Sequence, residues 1–433
     1  MQLKTNTGIV VNFVHWGASE NGSIYSISDN RQYFCKIEAV KLDAKLNDLV
    51  AETRILGLLN ERGCQTSPTL VGSGMVSVKS IRTHIQKELE NRLGSLPADR
   101  ELPYYITDYY PGMSTIYTPD IMMAVIEQKK LGIWHADLRP EHIRHDPRTN
   151  TIKLIDYDQA LQLTEAQRTM NNLEFFRWVD DYAREYYKAW NLNGWLHYFL
   201  PGNVTWESHF KVFLDEQGSF DIGKTWMFSS QETTLDPNKI YHAFHYSDVR
   251  AEGERSLNER KTLLDRIDFK KGERILDIGC NAGLLCHYLH DRGGDVWGVD
   301  IDPYVVSGAR IIANIIGKSD INFAAMDLDQ GGLVGHFDTV MLFSVIHHTR
   351  RMRENAARIC ELCDRVIVEC RTEESGAKPV SGKEWVATTI WSHPDKDALI
   401  DGLEHLFPGF KHNRTIGRAD RDRYMFEFLK ERS

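Results

Sequence analysis

The sequence has no run of about eighteen apolar residues, so no membrane-spanning helix is expected. Its opening, MQLKTNTGIVVNF, lacks the apolar stretch of a secretion signal, and a cytoplasmic protein is expected. Cysteine is sparse and odd in number. Seven scattered thiols do not make a disulfide framework and fit a reducing compartment. Cys360 and Cys363 form a C-x-x-C without a second pair, which reads as two buried thiols near a helix-to-strand turn rather than as a zinc site. Nor is there an excess of positive charge. With 52 Lys and Arg against 61 Asp and Glu, the formal net charge of −9 argues against a broad nucleic-acid-binding surface. Low-complexity tracts and evident repeats are missing too. What remains is a 433-residue chain, 42% hydrophobic and 26% charged, too long for one core and expected to hold two domains.

The second half is organised around Arg274 to Pro303, RILDIGCNAGLLCHYLHDRGGDVWGVDIDP. An apolar run, Ile275 to Ile278, carries Asp277 and ends in Gly279. The small-residue turn GCNAG follows, then a helical pattern from Leu284 to His290. After RGG a second strand, DVWGVD, stops on Asp300. This is the pattern of the first βαβ unit of a doubly wound sheet, whose ligands sit outside the carboxyl ends of the strands. Gly279 and Gly283 let the backbone turn tightly and approach a ligand, with Cys280 and Asn281 completing the candidate binding turn. Asp300 is placed to take the two hydroxyls of a ribose. A dinucleotide site would want three glycines around its pyrophosphate. Here the turn is one residue tighter, and Asp277 would repel a phosphate but could orient a cation. That combination favours a ligand with ribose and adenine but no pyrophosphate, namely S-adenosylmethionine.

The passage resembles the first two motifs of class I S-adenosylmethionine-dependent methyltransferases, and later segments follow in the family's order. NFAAMDLD places Asp327 after a third strand, where the resemblance implies a contact to the adenine amino group. FDTVMLFSVIHHT resembles the fourth strand with its active-site edge, and RVIVECR the fifth. His347 and His348 follow that fourth strand, and His347 is a candidate general base or acceptor contact, with a packing role as the alternative. Tyr246 and Arg250, ahead of the sheet, are candidates for the methionine carboxylate, with a surface role as the alternative for either. The loop holding Trp385 and Trp391 is where the family shapes its acceptor site. KHNRTIGR and RYMFEFLK read as the antiparallel hairpin that closes such sheets.

In the first half, WGASENGSIYSI is a glycine-containing turn between strand-like segments, and YFCKIEAV is a strand carrying Lys36. LNDLVAETRILGLLNE is a helix with Leu49, Ile55, Leu56 and Leu59 on one face and Glu52 near its centre. These are unremarkable alone. They gain meaning from IWHADLRPEHIRHDPRTNTIKLIDYD, in which HADLRPEH resembles the H-x-D-x-x-x-x-N of protein, aminoglycoside and sugar kinases, and IDYD, beginning 18 residues after Asp137, stands in place of D-F-G. Residues 8 to 200 resemble the kinase-like fold. The resemblance implies Asp137 as the base for the attacking hydroxyl and Asp156 as the magnesium ligand. It also implies Lys36 on the ATP phosphates, Glu52 fixing that lysine, Gly17 to Gly22 covering the phosphates, and Thr107, Asp108 and Tyr109 meeting adenine through backbone groups. His142 stands where the family has a metal-binding asparagine. It could bind the metal, hydrogen-bond the catalytic loop, or mark a pseudokinase. No long activation loop follows IDYD, which favours a small hydroxyl substrate such as a sugar over a protein.

The expected architecture is thus an α+β kinase-like bilobal domain over residues 1–200, a connector or substrate-facing insertion over 201–245, and an α/β Rossmann-like methyltransferase domain over 246–433. The pairing resembles the bacterial bifunctional kinase–methyltransferases that terminate O-antigen polysaccharides by phosphorylating the terminal sugar and methylating that phosphate. In that family the methyltransferase comes first and a coiled coil follows the kinase. Here the order is reversed and no sustained heptad pattern is visible. The resemblance implies ATP, Mg2+ and S-adenosylmethionine as cofactors, a sugar or glycan as substrate, no nucleic-acid partner, and a location that includes the inner face of a membrane. Oligomeric state is left open. So are a pseudokinase serving the methyltransferase and a natural-product acceptor.

Overall fold

Segments such as IYSIS and YFCKI are rich in β-branched and aromatic residues, and in the computed structural model they pair into the sheet that opens the chain. The structure describes residues 1–18, 23–38, 49–90, 93–94, 96–112, 118–146, 148–149, 151–187, 220–221, 240–247, 249–251, 253–372, 393–419 and 423–431. The chain divides into two units, Met1–Phe220 and Asp221–Ser433, with the boundary inside the stretch 201–245.

In the first unit, β1 (Gln2–Lys4), β2 (Val10–Ala18), β3 (Ile24–Ser28), β4 (Tyr33–Ile37), β5 (Leu70–Ser77) and β6 (Glu101–Asp108) form one sheet in the order β1-β2-β3-β4-β6-β5. Every neighbouring pair is antiparallel. One face of this sheet closes over a core of Phe13, Ile24, Cys35, Ile37 and Ile106, with α2 (Val78–Arg82) and α3 (Lys87–Glu90) beside it. α1 (Leu49–Glu61) buries Leu49, Ile55, Leu56 and Leu59, as its spacing predicts, and buries Glu52 as well. After β6 come α4 (Thr118–Lys130), β7 (Ile133–Trp134), β8 (Ile143–Asp146), β9 (Thr151–Leu154), β10 (Leu161–Gln162), α5 (Glu165–Thr169) and α6 (Asn172–Tyr187). β8 and β9 make a hairpin that carries the segment after His142 back to Asp156.

A two-residue strand, β11 (Phe220–Asp221), lies at the unit boundary. Beyond it, β12 (Ile240–His242) pairs in parallel with β15 (Gly253–Arg255), and β13 (Phe244–Tyr246) pairs with β14 (Val249–Ala251). α7 (Asn258–Leu264) leads into β16 (Arg274–Ile278), α8 (Leu284–Asp291), β17 (Asp295–Asp300), α9 (Pro303–Ile316), β18 (Asn322–Ala325) and β19 (Phe337–Phe343). α10 (Met352–Leu362), β20 (Cys363–Cys370), α11 (Lys396–Leu406), β21 (Phe410–Ala419) and β22 (Arg423–Lys430) complete the unit. The sheet runs β18-β17-β16-β19-β20-β22-β21, parallel except that β22 is antiparallel to both its neighbours. β16 is buried along nearly its whole length, as a parallel strand covered on both faces must be. The doubly wound sheet and its closing hairpin are as expected from the sequence. Its strand order turns back at β16 and β19, which opens a crevice at their carboxyl ends. Among the described residues no helix is long and apolar enough to cross a membrane.

Candidate functional sites

In the first unit, β4 and α1 bring Lys36 and Glu52 together, and the residues after β9 bring Asp156 to meet them. Lys36 Nζ lies 2.8 Å from Glu52 Oε2 and 2.5 Å from Asp156 Oδ1. Glu52 Oε1 accepts hydrogen bonds from the Tyr157 backbone N–H at 2.9 Å and the Tyr105 hydroxyl at 3.0 Å, so with Lys36 three donors hold the buried carboxylate. Burial disfavours the charge on Lys36, but Glu52 and Asp156 outweigh it and hold the ammonium above its ordinary value. Burial likewise pushes Asp156 up, and Lys36 and His142 bring it below the usual carboxylate range. Lys36, Tyr105 and Asp156 line a cavity of about 470 Å³ with Tyr25, Thr107, Tyr109, Glu141 and His142.

Asp137 sits next to this group. Its Oδ2 accepts from Arg139 at 2.9 Å. His142 Nδ1 lies 2.6 Å from the Asp137 carbonyl, to which it donates, and its Nε2 lies 3.4 Å from Asp156 Oδ2. The imidazole therefore ties the loop to the carboxylate, fulfilling one of the roles open to it in the sequence. His135, the first residue of the motif, is buried against Tyr157 and held neutral: desolvation, then His142, lowers it to about 3. The N–H groups of Asp108 and Tyr109 are already donated, to the Thr69 and Gln32 carbonyls at 3.1 and 2.8 Å, which narrows the backbone groups expected to meet adenine there to the carbonyls. Tyr110 and Gly112 line the cavity just beyond them. Gly17 lies in β2 opposite Tyr25, whose ring would be 2.4 Å from a Cβ there, and Gly22 lies outside the described residues.

In the second unit, the turn between β16 and α8 has Gly279 at φ +78° and Gly283 at φ +82°. A Cβ on Gly279 would stand 2.3 Å from Val345 Cγ2, and one on Gly283 2.7 Å from the Phe323 ring. Both positions therefore require glycine twice over, by backbone and by space. Asp300, at the end of β17, accepts the backbone N–H groups of Asn281 at 3.0 Å and Asp302 at 3.2 Å, which locks the turn to the neighbouring strand end. Burial raises Asp300, against the pull of those N–H groups. Cys280 is buried beneath the turn. Asp277 is buried in β16, accepts a hydrogen bond from the Cys286 thiol at 3.5 Å, and is raised to about 7 by desolvation. Asp327 follows β18 and accepts from the Asp329 N–H at 2.9 Å and the Gln330 amide at 3.0 Å. His347 is buried with its ring 4.2 Å from that of the exposed His348. The Tyr246 hydroxyl bonds Asp291, the last residue of α8, and Lys318, just after α9, which agrees with the surface role that was the alternative to a methionine-carboxylate contact. Trp385 and Trp391 lie outside the described residues.

Six non-glycine residues among those described have φ in the left-handed region, and Ala136, Asp156, Asn281 and Ser344 are four of them. Strained backbone thus gathers at the two sites. Cys360 and Cys363 are buried thiols, both pushed up by desolvation, and no group of three or more His, Cys, Asp or Glu among the described residues could hold a metal ion alone. The sequence reading missed Tyr105 and Tyr157, which hold Glu52, and Asp158, raised to about 6 first by burial and then by Asp156. It also missed the buried pair of Arg260 with Glu369. An acidic residue inside the apolar run RVIVEC was the available signal for that pair, since a strand buried on both faces must compensate a charge.

Residues 251–400 match the family model described as a methyltransferase domain, so the second unit carries such a domain, on the class I S-adenosylmethionine-dependent fold. Over 84 residues the chain is 36% identical to a malonyl-[acyl-carrier protein] O-methyltransferase of Acetivibrio thermocellus, covering 18% of this chain and 29% of that protein. Over 149 residues it is 25% identical to a ubiquinone biosynthesis O-methyltransferase of Paracidovorax citrulli, covering 32% and 60%. The chain thus spans less than two thirds of these relatives. Among solved structures, the bifunctional kinase-methyltransferase WbdD is similar over 44% of each chain, at 20% identity and a TM-score of 0.34.

Proposed function

We propose that this chain is a bifunctional transferase that phosphorylates a hydroxyl of a sugar or glycan with ATP and then methylates the same acceptor, on its phosphate, with S-adenosylmethionine. The observation that carries the kinase half is Lys36 bridging Glu52 and Asp156 in the wall of a cavity that His142 also lines. A lysine fixed in this way is suited to nucleotide phosphates, with Asp137 at the position to receive the hydroxyl proton. Asp156 and His142 are the residues that would hold magnesium, which when bound offsets the charge on the phosphates. A carboxylate oxygen and an imidazole nitrogen 3.4 Å apart fit two ligands of one small ion. Nucleotide oxygens and water would have to supply the rest of its shell, because the described residues offer no third protein ligand. An imidazole is a softer ligand than the amide usual at such a place, which makes this a one-ion site.

The methyltransferase half rests on the domain match and the glycine turn locked to Asp300. Asp300 would take the ribose hydroxyls, Asp327 the adenine amino group, and the Gly279–Gly283 backbone the space beside the donor. The methyltransferase relatives named above are O-methyltransferases, which supports an oxygen acceptor. A phosphate monoester is already anionic near neutral pH, so its oxygen can attack the methyl group without a base. That agrees with the burial of His347, which leaves it poorly placed for proton abstraction. The test of the kinase half is magnesium-dependent binding and turnover of labelled ATP, abolished in Asp156→Ala. A wild-type protein without metal-dependent nucleotide binding would mean that the first unit is a binding module serving the methyltransferase.

A further inference from the structure

The cavity of the first unit has one wall made by the sheet. Tyr25 and Ile27 of β3, and Phe34 and Lys36 of β4, line it at alternate positions, hence from one face of the strands. The register sets Tyr25 beside Lys36 and Ile27 beside Phe34. It then sets Lys36 beside Tyr105 and Phe34 beside Thr107 in β6. Two rows of side chains therefore cross this wall, roughly 7 Å apart along the strands. The Lys36 row meets Asp156 and is the phosphate end under the proposed function. The chain of β6 continues from Thr107 to Tyr109 and Tyr110, so the Phe34 row lies toward those residues.

The facing wall includes the start of β8 and the residues just before it. His142 and Arg144 line the cavity, while Ile143 between them is buried in the core. His142 Nε2 lies 3.4 Å from Asp156 Oδ2, again at the phosphate end. Arg144 comes two residues later, as Phe34 stands two residues from Lys36. Burial disfavours the charge on Arg144, while Tyr109 and then Glu141 pull the other way, which puts its guanidinium at the Tyr109 end. Its Nη1 donates to the Glu141 and Ile143 carbonyls at 2.6 and 3.3 Å, so the group is pinned in the wall.

The sheet side of this end is flat and aromatic. Phe34 and Tyr25 stack with ring centroids 6.0 Å apart and planes at 26°. A guanidinium is planar too, is weakly hydrated, and stacks on π-faces. An aromatic surface on one wall and a guanidinium on the other suit the two faces of a flat, electron-rich ring.

We infer that Arg144 is a binding residue for the base of the nucleotide, stacking its guanidinium on one face of the purine while Phe34 covers the other. The inference rests on the phosphoryl-transfer reading of this unit and adds recognition of the faces of the base to the backbone contacts expected along its edge.

The test uses the full-length protein and calorimetry at fixed ionic strength, with two probes: ATP with magnesium, and adenosine, which carries no phosphate. Arg144→Met keeps the length of the side chain and removes its charge and plane. It is expected to lose at least about fivefold in affinity for both probes, by factors that agree within about twofold. Phe34→Leu reaches the base from the other wall and is expected to show the same pattern, which keeps the test open should Arg144→Met fail to fold. Unchanged affinity for both probes in either variant overturns the inference. So does a loss for ATP with adenosine unchanged, which would move the guanidinium to the phosphates. A wild type that binds neither probe would sink the phosphoryl-transfer reading and this contact with it. Wild-type binding that the substitutions leave intact overturns the contact alone.

Discussion

Asp277 combines full burial with a single weak donor, the Cys286 thiol, and its carboxyl is pushed up to about 7. A folded-state value above the unfolded one means that the group costs nothing below about pH 4. The cost then grows as pH rises through the folded value, reaching at most about 4 kcal/mol for a shift of about three units. Asp277→Asn without cofactor should therefore melt higher than the wild type at pH 8 and at the same temperature near pH 4. An equal difference at both pH values would contradict burial as the cause. Asp300 is the opposite kind of residue. Its oxygens already accept the N–H groups of Asn281 and Asp302, and under the proposed function its remaining lone pairs face the ribose. Asp300→Ala should weaken donor binding by roughly 2–4 kcal/mol, read by calorimetry. Unchanged affinity would remove Asp300 from the donor site.

At the scale of elements, the turn between β16 and α8 depends on a side chain from another strand end. Gly279→Ala places a methyl group 2.3 Å from Val345 Cγ2 at a backbone angle that alanine resists, and should cost about 2 kcal/mol or more. Val345→Ala should relieve the steric part alone, so thermal denaturation of the double variant should show less than the sum of the single losses. Strict additivity would mean that the two groups do not meet. This turn was legible in the sequence because its glycines, its strand and its acidic strand end are close together along the chain. The sheet order was legible for the same reason, each βαβ unit being local. Lys36 and Glu52 are only sixteen residues apart, and the H-x-D motif told which lysine and which glutamate to watch. The Arg260–Glu369 pair was legible only by half: the acidic residue inside RVIVEC signals a buried partner, but that partner is 109 residues away and no local pattern names it. That the adenine contacts expected at Asp108 and Tyr109 are left to their carbonyls was illegible for a related reason. Which backbone N–H groups stay available depends on partners supplied from Gln32 and Thr69, in other segments.

For the whole molecule, under the proposed function, two units in one chain would raise the local concentration of the first product at the second site and favour consecutive reactions on one acceptor. If phosphate is the methyl acceptor, the kinase must act first and the methyltransferase must wait for it. The most direct test supplies labelled S-adenosylmethionine, ATP and magnesium to the wild type and to Asp137→Ala, with a bare glycan and a chemically prepared phosphoglycan as acceptors. Asp137→Ala should still bind ATP, should leave the bare glycan unmethylated, and should methylate the phosphoglycan at the wild-type rate. Methylation of the bare glycan by Asp137→Ala, at a rate independent of ATP, would contradict the sequential account.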